Sequence, residues 1–258
     1  MLFVRHAESL NNHLKTLHLF AGHDRLRFPD PALSAIGNLQ LKHVGLGITR
    51  KICSRPSNKP NPPIKIRVAV SPMQRALLTA YPIVEALTEN SPSFTLDCVE
   101  IVPFLFEKGG CYSEKDGEGI RAYPGLTSSQ AQAILPSAFI ADPADMEQGW
   151  WKSNTRETDE ELEHRIARTV AWIRRCACDN FCDILILVTH EGFGSACIRD
   201  FLKCERENLD WLYNASFSCL TLTPIHPLGD GEGDDCHQVH AMLDYLNCVE
   251  HLPLETIT

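Results

Sequence analysis

The chain opens with Met1-Leu2-Phe3-Val4 and passes directly into Arg5-His6-Ala7-Glu8-Ser9. Four apolar residues in a row read as a short buried strand. A strand that ends in Arg-His delivers a cation and an imidazole to the carboxyl edge of a sheet, where open α/β folds bind their ligands. A second run, Asp183-Ile184-Leu185-Ile186-Leu187-Val188-Thr189, ends in His190-Glu191-Gly192. Its unbroken Ile/Leu/Val core suits an interior strand covered on both faces. A third strand, over 66–71, leads into Pro72-Met73-Gln74-Arg75.

Shorter strands are expected at 97–102, 217–223 and 238–243, with helices between. Ser34 is placed to cap a helix carrying Leu39, Leu41, Val44 and Leu46. Ser71 and Pro72 suit an N-cap and a first helical position. Thr158-x-x-Glu161 has the capping-box pattern. It precedes Leu162, Ile166, Val170, Ile173 and Ala177, an apolar stripe at spacings of three and four. Residues 192–202 read as one more helix. This alternation predicts an α/β protein, a three-layer α/β/α sandwich with a mostly parallel central sheet. Two stretches interrupt it. Residues 50–65 hold four prolines and several Lys and Arg, and read as a basic surface loop. Residues 104–150 carry Gly and Pro signals with weak periodicity, and read as a cap inserted over the carboxyl edge of the sheet.

The 258 residues are 44% hydrophobic and 22% charged, ordinary for a globular domain. No apolar run approaches the roughly 18 residues of a membrane helix, and no secretory leader is evident at the start. The net charge of -9 argues against nucleic acid or an anionic membrane as partner. An anionic substrate would therefore need locally concentrated positive charge. The eleven cysteines show no paired spacing, which fits reduced thiols in a cytoplasmic protein. Cys176-x-Cys178-x3-Cys182 forms one loose group rather than the paired ligands of a structural zinc site. The Gly/Asp-rich stretch at 229–235 lacks the ordered ligand spacing of a calcium loop and reads as a hairpin turn.

Three strand-ends thus bring Arg5, His6, Arg75 and His190 beside helix N-termini, which favour anions. Arginines grip phosphate oxygens bidentately, and imidazoles donate or attack. In this arrangement the chain resembles the histidine phosphatase superfamily, which includes the cofactor-dependent phosphoglycerate mutases. The resemblance rests on Arg5-His6-Ala7, on Glu8-Ser9-x-x-Asn12, and on Asp30-Pro31-Ala32-Leu33-Ser34-x-x-Gly37-x-x-Gln40. It rests equally on Ser71-Pro72-Met73-Gln74-Arg75-Ala76-Leu77-Leu78-Thr79 and on Thr189-His190-Glu191-Gly192. These motifs run in order from about residue 2 to about residue 223. Ala7 departs from the usual glycine after the nucleophile, and Glu191 places a carboxylate next to a phosphate pocket. Glu191 is expected to point outward or to shape substrate choice.

The resemblance implies a single catalytic domain over 1–258 and a metal-independent phosphomonoester hydrolase without cofactor. Its substrate would be a small or medium phosphorylated molecule. His6 would attack phosphorus and become a phosphohistidine. Arg5, Asn12, Arg75 and His190 would bind the phosphoryl oxygens. The leaving oxygen needs a proton, and Glu107, in Phe106-Glu107-Lys108-Gly109-Gly110, is the chosen donor over Glu100 and Glu114. His23, in the loop after the nucleophile, is a weaker substrate contact. Within the cap, Lys108, Arg121, Tyr123 and Trp150 are placed to face the pocket. Trp150-Trp151 reads as a packing anchor. Two other readings stay open: a phosphoglycerate mutase, which returns the phosphoryl group to substrate, and a non-catalytic phosphate-binding relative. Oligomeric state is not legible.

Overall fold

The computed structural model describes residues 1–17, 27–54, 63–89, 94–115, 119–204, 212–225 and 238–258. His23, the 229–235 turn and residues 55–62 of the Pro-rich loop lie outside them.

The elements run β1 (Leu2–Arg5), α1 (Leu10–Leu17), α2 (Ala35–Cys53), β2 (Ile64–Val70), α3 (Gln74–Glu89) and β3 (Phe94–Ile101). There follow β4 (Tyr112–Lys115), β5 (Gly119–Ala122), α4 (Ser128–Ile134) and α5 (Asp159–Cys178). The chain then forms β6 (Ile184–Thr189), α6 (Glu191–Leu202), β7 (Phe217–Pro224) and β8 (Val239–Cys248). The main sheet has the order β3-β2-β6-β1-β7-β8. The pairs β2–β3, β2–β6 and β1–β6 are parallel, whereas β7 runs antiparallel to both β1 and β8.

Side-chain alternation along the strands builds two cores. Leu2 and Val4 of β1, with Ile184, Ile186 and Val188 of β6, pack on one face with Val44, Ile48, Leu77 and Ile83 of α2 and α3. Phe3, Leu185 and Leu187 turn to the other face, toward Val170, Ile173, Phe193 and Ile198 of α5 and α6. Because successive strand residues face opposite ways, a strand sandwiched between helix layers must be apolar at every position. That is why β6 is buried along its whole length.

The helix starts follow their local signals. Ser34 accepts a hydrogen bond from the Gly37 N–H and caps α2, and Thr158 and Glu161 form the full capping box of α5. One start differs from expectation. The third helix begins at Gln74, not Pro72: the Asp30 carboxylate accepts the Gln74 N–H, and the Ser71 hydroxyl accepts the Met73 N–H and meets His190. Residues 50–53, expected in a loop, complete α2. Between β3 and α5 the chain forms the β4–β5 hairpin, α4 and a 3-10 turn at Pro143–Met146. Trp150 stacks on Phe106 at 5.1 Å and is buried, a packing anchor for this segment.

Candidate active site

The parallel pairing that sets Arg5 opposite Thr189 also brings the residues that follow them together. His6 N–H donates to the Thr189 carbonyl at 2.9 Å, and the His6 and His190 rings lie 5.0 Å apart. β2 ends next to β6, so Ser71 and Arg75 enter from the neighbouring strand. Arg5, His6, Arg75 and His190 are all buried.

The hydrogen bonds fix the tautomer of His6. Its Nδ1 faces the Ala7 carbonyl at 2.7 Å, and a carbonyl only accepts, so Nδ1 carries the proton. Nε2 is left with its lone pair, which accepts the Arg75 Nε–H at 3.0 Å. Burial, then Arg75, then Arg5, hold the imidazole well below the ordinary 6.5. His190 is pushed down by burial and then by Arg75. Its Nε2 lies 2.7 Å from the Ser71 hydroxyl, which already accepts the Met73 N–H. A hydroxyl oxygen can accept two hydrogen bonds while donating one, so this contact suits either tautomer of His190.

Three buried nitrogens in this cluster have no hydrogen-bond partner: Arg5 Nε, Arg75 Nη1 and His190 Nδ1. Buried donors are seldom left unpaired, because desolvating them costs free energy. Around His6 they form a cationic cradle that an anion would satisfy.

The motif residues that do not face this cradle hold the nucleophile in place. Ala7 N–H donates to Thr79 Oγ1 at 2.9 Å, and Glu8 N–H to Gln40 Oε1 at 2.8 Å. Ser34 donates its hydroxyl to Glu8 Oε1 at 2.6 Å. A Cβ at residue 37 would run into the Glu8 carbonyl, so Gly37 lets the first turn of α2 close on that strand-end. Glu8 is thus structural, buried between Ser34 and His13.

Glu107 stands at the N-terminus of α6. Its carboxylate accepts from the N–H groups of Gly192 at 3.3 Å and Phe193 at 3.0 Å, and from Lys108 N–H at 2.7 Å. A Cβ at Gly192 would approach Glu107 Oε1 to 3.0 Å, which accounts for the glycine two residues after His190. Glu107 is braced from behind by a buried pair. Arg165 donates to Glu157 Oε1 at 2.6 Å and Oε2 at 2.7 Å, and to the carbonyls of Phe104 at 3.1 Å and Phe106 at 2.8 Å. Glu157 Oε2 in turn accepts the Gly109 N–H at 3.1 Å. The clamp therefore fixes the backbone on both sides of Glu107.

A cavity of about 570 Å³ opens above these groups. Arg5, His6, Asn12, Arg75 and Glu107 line it together, while His190 is buried, its ring 5.0 Å from that of His6. Asn12 turns its Oδ1 to the Ser9 hydroxyl at 2.7 Å, which leaves the amide nitrogen as the end to meet a ligand. Of the four cap candidates Lys108 lines the cavity, and Arg121, Tyr123 and Trp150 do not. Arg121 lies over the Tyr123 ring, and Trp150 is taken up by Phe106. Glu191 does not point outward: it lines the cavity and pairs with Arg5 Nη2 at 2.8 Å. The remaining Arg5 nitrogen, Nη1, donates to the Leu212 carbonyl.

Several cavity or site residues were not anticipated. Asp30 accepts the Gln74 N–H and faces Arg75 Nη1 at 3.5 Å; burial raises its carboxyl to about 6. Its signal was its place just ahead of Leu33-Ser34. Lys15, Arg27, Tyr112, Arg156 and Arg199 carry no local motif and meet only through the fold. Among the described residues no group of three or more His, Cys, Asp or Glu is arranged to hold a metal ion.

No protein-family model matches the chain, and no curated protein does. Solved structures do. The chain is similar to a mycobacterial glucosyl-3-phosphoglycerate phosphatase solved with VO3, at 19% identity and a TM-score of 0.53, over 96% of this chain and 99% of that one. It is similar to a protein described as mycobacterial hydrolase 2, at 20% identity and TM-score 0.52, over 99% and 93%. A third likeness is to a putative alpha-ribazole-5'-P phosphatase from Escherichia coli, at 17% identity and TM-score 0.50, over 96% of each chain. At these identities the likeness establishes the architecture: the chain has the histidine phosphatase fold, an α/β sandwich with a mostly parallel sheet.

Proposed function

We propose that this protein hydrolyses a phosphomonoester through a phosphohistidine on His6. The observation that supports this most directly is a set of buried nitrogens on Arg5, Arg75 and His190 without hydrogen-bond partners, around an imidazole whose Nε2 holds a lone pair. A phosphoryl group fits such a cradle, because its oxygens accept from arginine and imidazole N–H groups at once.

In this reading the substrate phosphoryl takes over the Arg75 Nε–H now bonded to His6. Nε2 attacks phosphorus and the ester P–O bond breaks. Glu107 gives its proton to the leaving oxygen as the alcohol departs. Glu107, then a carboxylate, takes a proton from a water whose oxygen attacks the phosphohistidine. The P–N bond breaks, inorganic phosphate leaves, and His6 regains its lone pair. Arg5, Arg75, Asn12 and His190 stabilise the charge on the transferring group throughout. Splitting the displacement into two in-line steps within fixed donors is the kind of catalysis that phosphate esters require. The scheme calls for no metal or cofactor.

The neighbours named as phosphatases, one of them solved with VO3, favour a small phosphorylated substrate here as well. We propose further that residues 104–150 act as the cap over the site, since Glu107, Lys108 and Tyr112 line the cavity from that segment. A cytoplasmic location fits the absence of any disulfide between described cysteines. No helix among the described residues is long and apolar enough to cross a membrane.

The test is hydrolysis of para-nitrophenyl phosphate with chelator present, comparing wild type with His6→Ala. Turnover that disappears in the variant supports the reading. Turnover that survives it, or folded wild type with none, contradicts it. A requirement for a bisphosphate primer would mark a mutase instead.

A further inference from the structure

Beyond the phosphoryl cradle, the same cavity is lined by five more cations: Lys15, Arg27, Lys108, Arg156 and Arg199. Its two glutamates are already engaged, Glu107 by N–H groups of α6 and Glu191 by Arg5. Lys108 pairs with Asp159 at 3.1 Å. Arg27 and Arg156 have no carboxylate partner among the described residues. They share one aromatic ring instead, with guanidinium carbons 4.3 and 5.4 Å from the centre of Tyr112. Arg27 Nε is buried with no hydrogen-bond partner.

Holding two guanidinium groups over one ring costs repulsion unless an anion lies between or beside them. The net charge of -9 rules out a general basic excess as the source of this cluster. The cavity volume also exceeds what one phosphoryl group occupies and falls in the range of sites for much larger ligands. Nor is an aryl group the natural occupant. Trp150 is covered by Phe106, and Tyr112 is buried, with both arginines against its ring.

We infer that Arg27 and Arg156, set over Tyr112, form a second anionic subsite, so that the substrate is a phosphomonoester bearing another carboxylate or phosphate. This rests on the reading of His6 as the nucleophile. A carboxylate and a phosphate both suit a guanidinium pair, and matched substrates distinguish them.

The experiment measures kcat/KM on three-carbon and six-carbon series: a polyol or sugar monophosphate, its carboxylate analogue and its bisphosphate. Para-nitrophenyl phosphate is the reference without a second anion. In at least one series the wild type should favour a doubly anionic member by about tenfold or more, the scale of one charged hydrogen bond. The Arg27→Gln/Arg156→Gln variant should lose that advantage, falling about tenfold further on the doubly anionic substrate than on the reference. The carboxylate or the bisphosphate arm responding alone identifies the second group. Calorimetric binding of the same compounds to His6→Ala protein reads the subsite without chemistry. No preference in either assay, or a preference the double variant keeps, overturns the subsite. Turnover of the reference by His6→Ala instead overturns the assignment of the nucleophile, while the binding assay still decides the subsite.

Discussion

Arg75 Nε donates to His6 Nε2 at 3.0 Å, so the guanidinium that would clamp a phosphoryl group rests on the nitrogen that would attack it. The contact keeps the imidazole neutral and correctly turned, since a protonated Nε2 would face a cation. Both histidines of the cluster are held well below 6.5 by burial first and by Arg75 next. The nucleophile should therefore stay competent at pH values where a free histidine is charged. Expected: kcat/KM for para-nitrophenyl phosphate, corrected for substrate ionisation, shows no acid limb at pH 6.5. A limb centred there and abolished by His190→Asn would contradict the depressed values.

The same burial makes stability depend on pH. In the unfolded chain His6, His190 and His251 take up protons as the pH falls through 6.5; in the folded protein the first two stay neutral well below that value, and His251 does so down to about 4. The unfolded state then binds more protons, so folding weakens by roughly 1 kcal/mol per pH unit for each histidine. Asp30, raised to about 6, works the other way below that pH, because there the folded state binds the extra proton. The net expectation is a fall in the urea midpoint on acidification below 6.5, and a shallower fall in His251→Asn. A flat profile would contradict it.

Both phosphate-clamp arginines are paired with carboxylates in the absence of ligand: Arg5 with Glu191 at 2.8 Å and Arg75 with Asp30 at 3.5 Å. An incoming phosphate must compete with these. Glu191→Gln should bind vanadate several-fold more tightly, since a nearby like charge of this exposure opposes the anion by about 1 kcal/mol. Asp30→Asn should do the same above pH 6 and converge with wild type below it, where Asp30 is already protonated. Unchanged inhibition constants in both variants would mean that the carboxylates orient the arginines without opposing the anion.

Arg165 and Glu157 touch no cavity atom in the reaction as drawn; they are positioning residues for Glu107. Arg165→Lys keeps the charge but loses the fork that grips Glu157 and two carbonyls. A proton donor matters most when the leaving oxygen is a poor leaving group. Glu107→Gln is thus expected to cost about 10²- to 10⁴-fold on an alkyl phosphate and far less on para-nitrophenyl phosphate. Arg165→Lys should reproduce that leaving-group signature in weaker form. A variant that loses thermal stability yet slows both substrates equally would make the clamp purely structural.

The legible part of this protein was its strand-ends. Three runs, at 2–5, 66–71 and 183–189, read as interior strands because burial on two faces demands near-continuous apolarity, and Arg5, His6, Arg75 and His190 lie at their ends or within a few residues after them. Motif glycines and polar residues were legible as motifs but not in their task. Gln40 and Thr79 accept the backbone N–H groups that follow His6, while Gly37 and Gly192 leave room for the Glu8 carbonyl and the Glu107 carboxylate, and that is decided by tertiary contact. Of the two expectations for Glu191, an outward direction fails for the same reason: a repulsive charge beside a phosphate pocket is tolerable once Arg5 pairs with it. The outer cations were illegible. Arg27 and Arg156 are far apart in sequence, with no periodicity between them, and meet only because the segment after β3 folds back to bring the Tyr112 ring within reach of both.

The central claim is that His6 carries the phosphoryl group, and rapid quench followed by peptide mass spectrometry tests it most directly. The enzyme would be mixed with para-nitrophenyl phosphate, quenched in alkali and digested. The account predicts one added phosphoryl mass on the peptide containing His6, lost on acid treatment and absent from unreacted protein. It also predicts greater accumulation in Glu107→Gln than in wild type, because the acid-base residue that activates water is gone. Turnover with the His6 peptide unmodified at every quench time, or the label on His190 or a serine, would contradict it.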